Sequence, residues 1–85
     1  MPIRILIADD HAVVRSGLKA LLQADTDLEV VGEAADGTET LRLAEALHPD
    51  MVLLDITMPP DNGFKTAKRL KEKHPELIVL FLTMH

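Results

Sequence analysis

IRILIADD, the stretch from Ile3 to Asp10, is an apolar run that ends on two adjacent carboxylates. Its β-rich and nearly unbroken aliphatic character over Ile3–Ala8 predicts a strand covered on both faces, not one with a wet side. The same design recurs in MVLLD, from Met51 to Asp55, and in LIVLFLT, from Leu77 to Thr83. Each run closes on a polar group: Asp9 and Asp10, then Asp55, then Thr83. The remaining strand candidate, LEVVGEA over Leu28–Ala34, is more polar and is expected at a sheet edge.

Helical patterns separate these strands. Ala12–Ala24 carries Val13, Val14, Gly17, Leu18, Leu21 and Leu22 at helical spacing, with Arg15, Ser16, Lys19 and Gln23 between them. Gly17 weakens this helix relative to alanine, and close packing is the expected reason for it. Asp36-Gly37-Thr38-Glu39 reads as a capping box, opening a helix that runs to about Leu47 and turns Leu41, Ala44 and Leu47 inward. A third helix spans about Asn62 or Gly63 to His74, with Phe64, Ala67 and Leu70 as its inward stripe. His48-Pro49 and His74-Pro75 end the second and third helices, since a residue before proline avoids the α region.

The order is therefore β-α-β-α-β-α-β, the pattern of a doubly wound parallel α/β sheet. Ligand sites in such sheets lie outside the carboxyl ends of the strands, where strand order reverses. That rule gathers Asp9, Asp10, Asp55 and Thr83 on one rim. The last strand, being the most apolar, is expected to be central. Nothing follows it to cover an edge, so the chain reads as a fragment or as a segment completed by another copy.

Composition narrows the function classes. Eighty-five residues make one small domain, and 47% apolar content suits a globular one. The absence of cysteine excludes disulfides, thiolate metal sites and cysteine nucleophiles, and suits a reducing cytoplasm. The start is not a signal peptide, and no stretch approaches the length of a membrane span. Nine basic against fourteen acidic residues give a net charge of −5, and there is no tyrosine or tryptophan. Neither feature suits gripping or stacking on nucleic acid. Lys65, Lys68, Arg69, Lys71 and Lys73 make the third helix basic, which is read as a solvated face.

The chemistry concentrates on the acidic rim. Asp9 and Asp10 repel each other, and Mg²⁺ or Mn²⁺ removes that penalty while accepting carboxylate and water oxygens. Asp55 can give one oxygen to the same ion and present the other to phosphorus, forming an acyl phosphate. Thr83 can then donate its hydroxyl to the phosphoryl group. His11 adjoins the pair but is expected to stand apart, because hard Mg²⁺ prefers oxygen. His48 and His74 are assigned no chemistry.

On these residues the chain resembles the receiver domain of two-component response regulators, closest to those preceding a helix-turn-helix DNA-binding domain. Asp9-Asp10 is similar to that family's acidic pair, and Asp55 within VLLDITMP to its phosphoacceptor. Pro59 and Gly63 match its loop pattern, Thr83 its switch hydroxyl, and ADG (Ala35–Gly37) and LTMH (Leu82–His85) match the subfamily. The resemblance covers all 85 residues.

It implies a flavodoxin-like fold with full strand order 2-1-3-4-5 and a phosphorylation switch. A sensor histidine kinase would supply the phosphoryl group, and the domain would catalyse its own phosphorylation and dephosphorylation. Mg²⁺ would be bound by Asp10, Asp55, the Thr57 carbonyl and Asp9 through water. Thr57 and His85 fall at positions that tune hydrolysis. The family's fourth helix, fifth strand with its lysine, and fifth helix would lie beyond His85, and DNA would be reached only through an output domain absent here. A homodimer or swapped assembly is compatible with the open edge. Pro60-Asp61 departs mildly from the family's loop.

Three rivals remain. A nucleotide-binding enzyme needs a glycine-rich turn, and Ala8-Asp9-Asp10-His11-Ala12 has none. An aspartate-nucleophile phosphatase needs a second carboxylate just past Asp55, where Ile56 and Thr57 stand instead. A non-phosphorylated interaction module keeping the same fold is the third.

Overall fold

The computed structural model describes residues 1–58 and 62–82. The four strands are β1 (Ile3–Ala8), β2 (Leu28–Ala34), β3 (Met51–Asp55) and β4 (Ile78–Leu82). They alternate with helices α1 (Ala12–Gln23), α2 (Gly37–Leu47) and α3 (Gly63–Lys73). The strands form one sheet in the order β2-β1-β3-β4, and each neighbouring pair is parallel. Sequence and structure agree on every element, to within a residue or two at the ends.

Alternation along β1 and β3 divides the core into two layers. Leu6, Ala8, Val52 and Leu54 face one side, where they meet Ala44, Ala67, Leu70 and Leu77. Ile5, Ile7 and Leu53 face the other and pack against Leu18 and Leu22 of α1. Helices α2 and α3 thus cover one face and α1 the other, as parallel crossovers require. The continuous apolar reading of β1 and β3 has this two-sided burial as its cause.

Strand β2 takes the predicted edge position. Its pairing with β1 shifts register between Ile5 and Leu6, so that Ile5 meets Val30 and Leu6 meets Gly32. This irregularity turns Val30 to the α1 layer and Gly32 to the α2 layer. A Cβ at position 32 would meet the Leu47 side-chain methyl at 2.8 Å and that of Leu6 at 3.3 Å, a crowding that a small shift of the Leu47 side chain relieves.

Helix ends follow local chemistry. The Asp36 carboxylate accepts the Glu39 amide at 2.8 Å, and Glu39 Oε1 accepts the Ala35 amide at 3.0 Å. That is the predicted box, with the return bond reaching one residue further back than usual. His48 closes α2 in a left-handed conformation (φ 48°), uncommon for a side chain other than glycine or asparagine. Asn62 caps α3 by accepting the Lys65 amide at 3.0 Å. Lys71 on the basic helix donates to the carbonyls of Pro75 and Leu77, fastening the turn into β4.

Three packing expectations fail. Phe64 is 57% exposed and leans on Phe81, ring centroids 4.9 Å apart, so Gly63 and Thr66 join Ala67 and Leu70 on the buried face of α3. A Cβ on Gly17 would meet nothing within 4 Å, so close packing does not explain this glycine. Helix α1 buries no residue fully, and Val13 and Leu21 face outward, because the apolar arc on α1 is wider than its contact with the sheet. Strand β4 is the edge of the described sheet, with Ile78, Leu80 and Phe81 exposed, in keeping with the open edge expected where no fifth strand follows it. Among the described residues no helix is long and apolar enough to cross a membrane.

Candidate functional site

The chain steps from β1 to β2 on one side and then to β3 on the other, so strand order reverses beside β1. The crevice at that point is bounded by the ends of β1 and β3. Asp9 follows the first of these strands and Asp55 ends the second. Their shared height comes from register: Ala8 pairs with Leu54, so Asp9 and Asp55 leave the sheet at the same level.

Asp9 is buried, and its charge is met locally. Oδ1 accepts the His11 amide at 2.7 Å and lies 3.0 Å from the His11 ring Nδ1. Its backbone is pinned on both sides. The Asp9 amide donates to the Ala34 carbonyl, and Arg15 Nη1 donates to the Asp9 carbonyl at 2.5 Å. Arg15 in turn pairs with Glu33 of β2 at 3.4 Å. Asp10 is exposed, with Oδ1 3.1 Å from the same imidazole nitrogen. Neither aspartate caps α1; the N-cap is His11, whose side chain makes no capping bond.

Asp55 is buried as well. Its Oδ1 accepts both the amide and the hydroxyl of Thr57, at 3.0 and 3.1 Å. The Thr57 bonds orient the carboxylate and commit one oxygen. The Gly63 amide donates to the Ile56 carbonyl at 2.5 Å, tying the start of α3 under Asp55.

One ligand atom from each of Asp9, Asp10, His11 and Asp55 lies within 4.8 Å of the others. Three carboxylates at this spacing form the oxygen-rich donor set that a hard divalent cation requires, so the residues fit such an ion. His11, expected to stand apart, belongs to the cluster. Its pKa is raised, first by the hydrogen bond to Asp9 and then by the charge of Asp10, with smaller contributions from Asp9 and Asp55 charge. The signal that finds it is its place as the first residue after the acidic pair, in the turn that begins α1. Thr83 and His85, together with Pro59, Pro60 and Asp61, lie outside the described residues. His74 sits 3.4 Å from Glu45, beside His48 and away from this cluster.

A small parallel α/β domain with acidic side chains at its β1–β3 switch point defines a class of doubly wound proteins that work at a carboxylate rim. Residues 5–85 match the family model described as response regulator receiver domain, and the chain belongs to that family. It is 47% identical over 72 residues to the nitrate/nitrite response regulator protein NarL of Escherichia coli K12, covering 85% of this chain and 33% of NarL. It is 46% identical over 81 residues to the transcriptional regulatory protein LiaR of Bacillus subtilis, covering 95% of this chain and 38% of LiaR. A solved LuxR-family two-component response regulator from Aurantimonas superposes with a TM-score of 0.94 at 34% identity. That match covers 100% of this chain and 61% of the solved one. The chain spans about a third of the length of the curated relatives.

Proposed function

We propose that the chain is a phosphorylation-dependent signalling switch in which Asp55 is the phosphoacceptor. The observation that carries this reading is the convergence of Asp9, Asp10, His11 and Asp55 at the ends of two adjacent strands. In the reaction, a carboxylate oxygen of Asp55 attacks the donor phosphorus. The phosphorus–nitrogen bond of a kinase phosphohistidine breaks, and its electron pair and a proton return to the imidazole. An acyl phosphate remains on Asp55.

A Mg²⁺ ion, or Mn²⁺, held by Asp9, Asp10, Asp55 and the Thr57 carbonyl would neutralise charge developing on the transferred group. The Thr57 hydroxyl on Asp55 Oδ1 supports a role in orienting the acceptor and in setting the rate of hydrolysis. Thr83 would hydrogen-bond the phosphoryl group, and His85 would tune its loss. A sensor histidine kinase is the proposed donor, in the cytoplasm. The output would be control of transcription, exerted through a DNA-binding segment outside these residues.

Intact-mass measurement after incubation with Mg²⁺ and a small acyl phosphate donor tests the reading. A gain of about 80 Da, one phosphoryl group, is expected. Asp55→Asn should abolish it, and Asp25→Asn, in an exposed turn, should leave it unchanged. No gain in this chain, nor in one continued past His85, refutes the proposal.

A further inference from the structure

The cluster contains one donor that is not an oxygen, and its position is that of a ligand. His11 Nδ1 lies 3.0 Å from Asp9 Oδ1 and 3.1 Å from Asp10 Oδ1. Around an octahedral ion with bonds of about 2.1 Å, neighbouring donors stand about 3.0 Å apart. The imidazole nitrogen and the two carboxylate oxygens thus already mark two edges of a coordination octahedron. Such edges have the length of a hydrogen bond, so a cation can take the place of the shared proton with little movement of the donors. Asp9 is held by the Arg15 and Ala34 contacts to its backbone. The His11 ring is 64% exposed.

We propose that His11 supplies a nitrogen ligand to this cation site, giving it a preference for first-row transition ions such as Co²⁺ over Mg²⁺. The inference rests on reading the cluster as a divalent-cation site. Imidazole suits borderline ions, and for mixed nitrogen and oxygen donors affinity rises from Mn²⁺ through Co²⁺ to Ni²⁺. Mg²⁺ takes oxygen and retains its waters, so it gains nothing from Nδ1. Three carboxylates alone would hold either ion; the added nitrogen sets the ratio.

Calorimetric titration of the 85-residue chain with Co²⁺ and with Mg²⁺ tests this, in the wild type, His11→Ala and His74→Gln. His11→Ala should weaken Co²⁺ binding on the order of tenfold and leave Mg²⁺ within about twofold. His74→Gln should change neither, which separates this site from the histidine pair at His48 and His74. Proton NMR of the Co²⁺-loaded wild type should show imidazole signals shifted far outside the ordinary range, and these should be lost in His11→Ala. An unchanged Co²⁺-to-Mg²⁺ ratio, with both ions still bound, overturns the nitrogen ligand alone. Binding of neither ion by the wild type overturns the cation site as well. Matching circular dichroism spectra for wild type and variants establish that the differences come from the site.

Discussion

Replacing Gly63 with alanine should damage both the fold and the proposed acceptor site, because Gly63 lies against the backbone that carries Asp55. A Cβ there would stand 2.5 Å from the Asp55 carbonyl oxygen, 2.8 Å from Ile56 Cα and 3.1 Å from the Asp55 carbonyl carbon. All three are main-chain atoms, so no flexible side chain can swing aside. The φ of Gly63 is not positive, so the glycine is required for space and not for a left-handed conformation. Overpacking of this kind costs about 1–3 kcal/mol, of which the helix propensity of alanine recovers at most about 1 kcal/mol.

With neither tryptophan nor tyrosine in the chain, the suitable assay is urea or thermal unfolding followed by far-UV circular dichroism. Each kcal/mol lost should lower Tm by about 4–8 °C in a domain of this size. Relief of the clash displaces the end of β3 that carries Asp55, so phosphorylation by a small donor should slow by about 10–100-fold. A Gly63→Ala chain with unchanged Tm and unchanged phosphorylation rate would refute the reasoning.

Gly17→Ala should act in the opposite direction. Its Cβ enters open space on an exposed helix face, so thermal unfolding should show a gain of about 1 kcal/mol. Asp36→Ala removes the cap on the Glu39 amide and should cost about 1 kcal/mol by the same assay. Arg15→Ala should lower stability by about 1–3 kcal/mol, since it strips a charged donor from the Asp9 carbonyl. Glu33→Gln, which touches only the two partly exposed ion pairs to Arg15 and Lys19, should stay within about 1 kcal/mol of wild type. Without divalent cations, His11 should titrate above 6.5 by NMR, and Asp9→Asn should bring it down, because the Asp9 hydrogen bond is the largest cause of the shift. A pKa raised on folding stabilises the native state fully below the unfolded value and loses that contribution as pH rises through the folded one. Urea midpoints of wild type and His11→Ala should therefore differ most below about pH 6.5 and converge above the His11 midpoint.

Local signals carried most of the fold. Continuous apolar runs fit strands β1 and β3 because both faces of each are buried, and the Asp36–Glu39 box and the His-Pro pairs act within a few residues of themselves. Side-chain burial on helices was less legible. Val13, Leu21 and Phe64 sit at helical spacing like their buried neighbours, and only the width of each helix's contact with the sheet separates inward from outward. Gly17 and Gly63 look alike in the sequence, yet one faces solvent and the other lies against a main-chain carbonyl.

The sequence by itself determined the order of elements, the apolar layers and the placing of aspartates at strand ends, since each rests on periodicity and nearest-neighbour chemistry. Only the tertiary structure decided that Ala8 pairs with Leu54, which sets Asp9 and Asp55 at one height. It also decided that the His11 ring turns back onto Asp9 and Asp10. These follow from pairing register and from the path of one turn, which depend on contacts between residues distant in the chain and leave no periodic trace in its sequence.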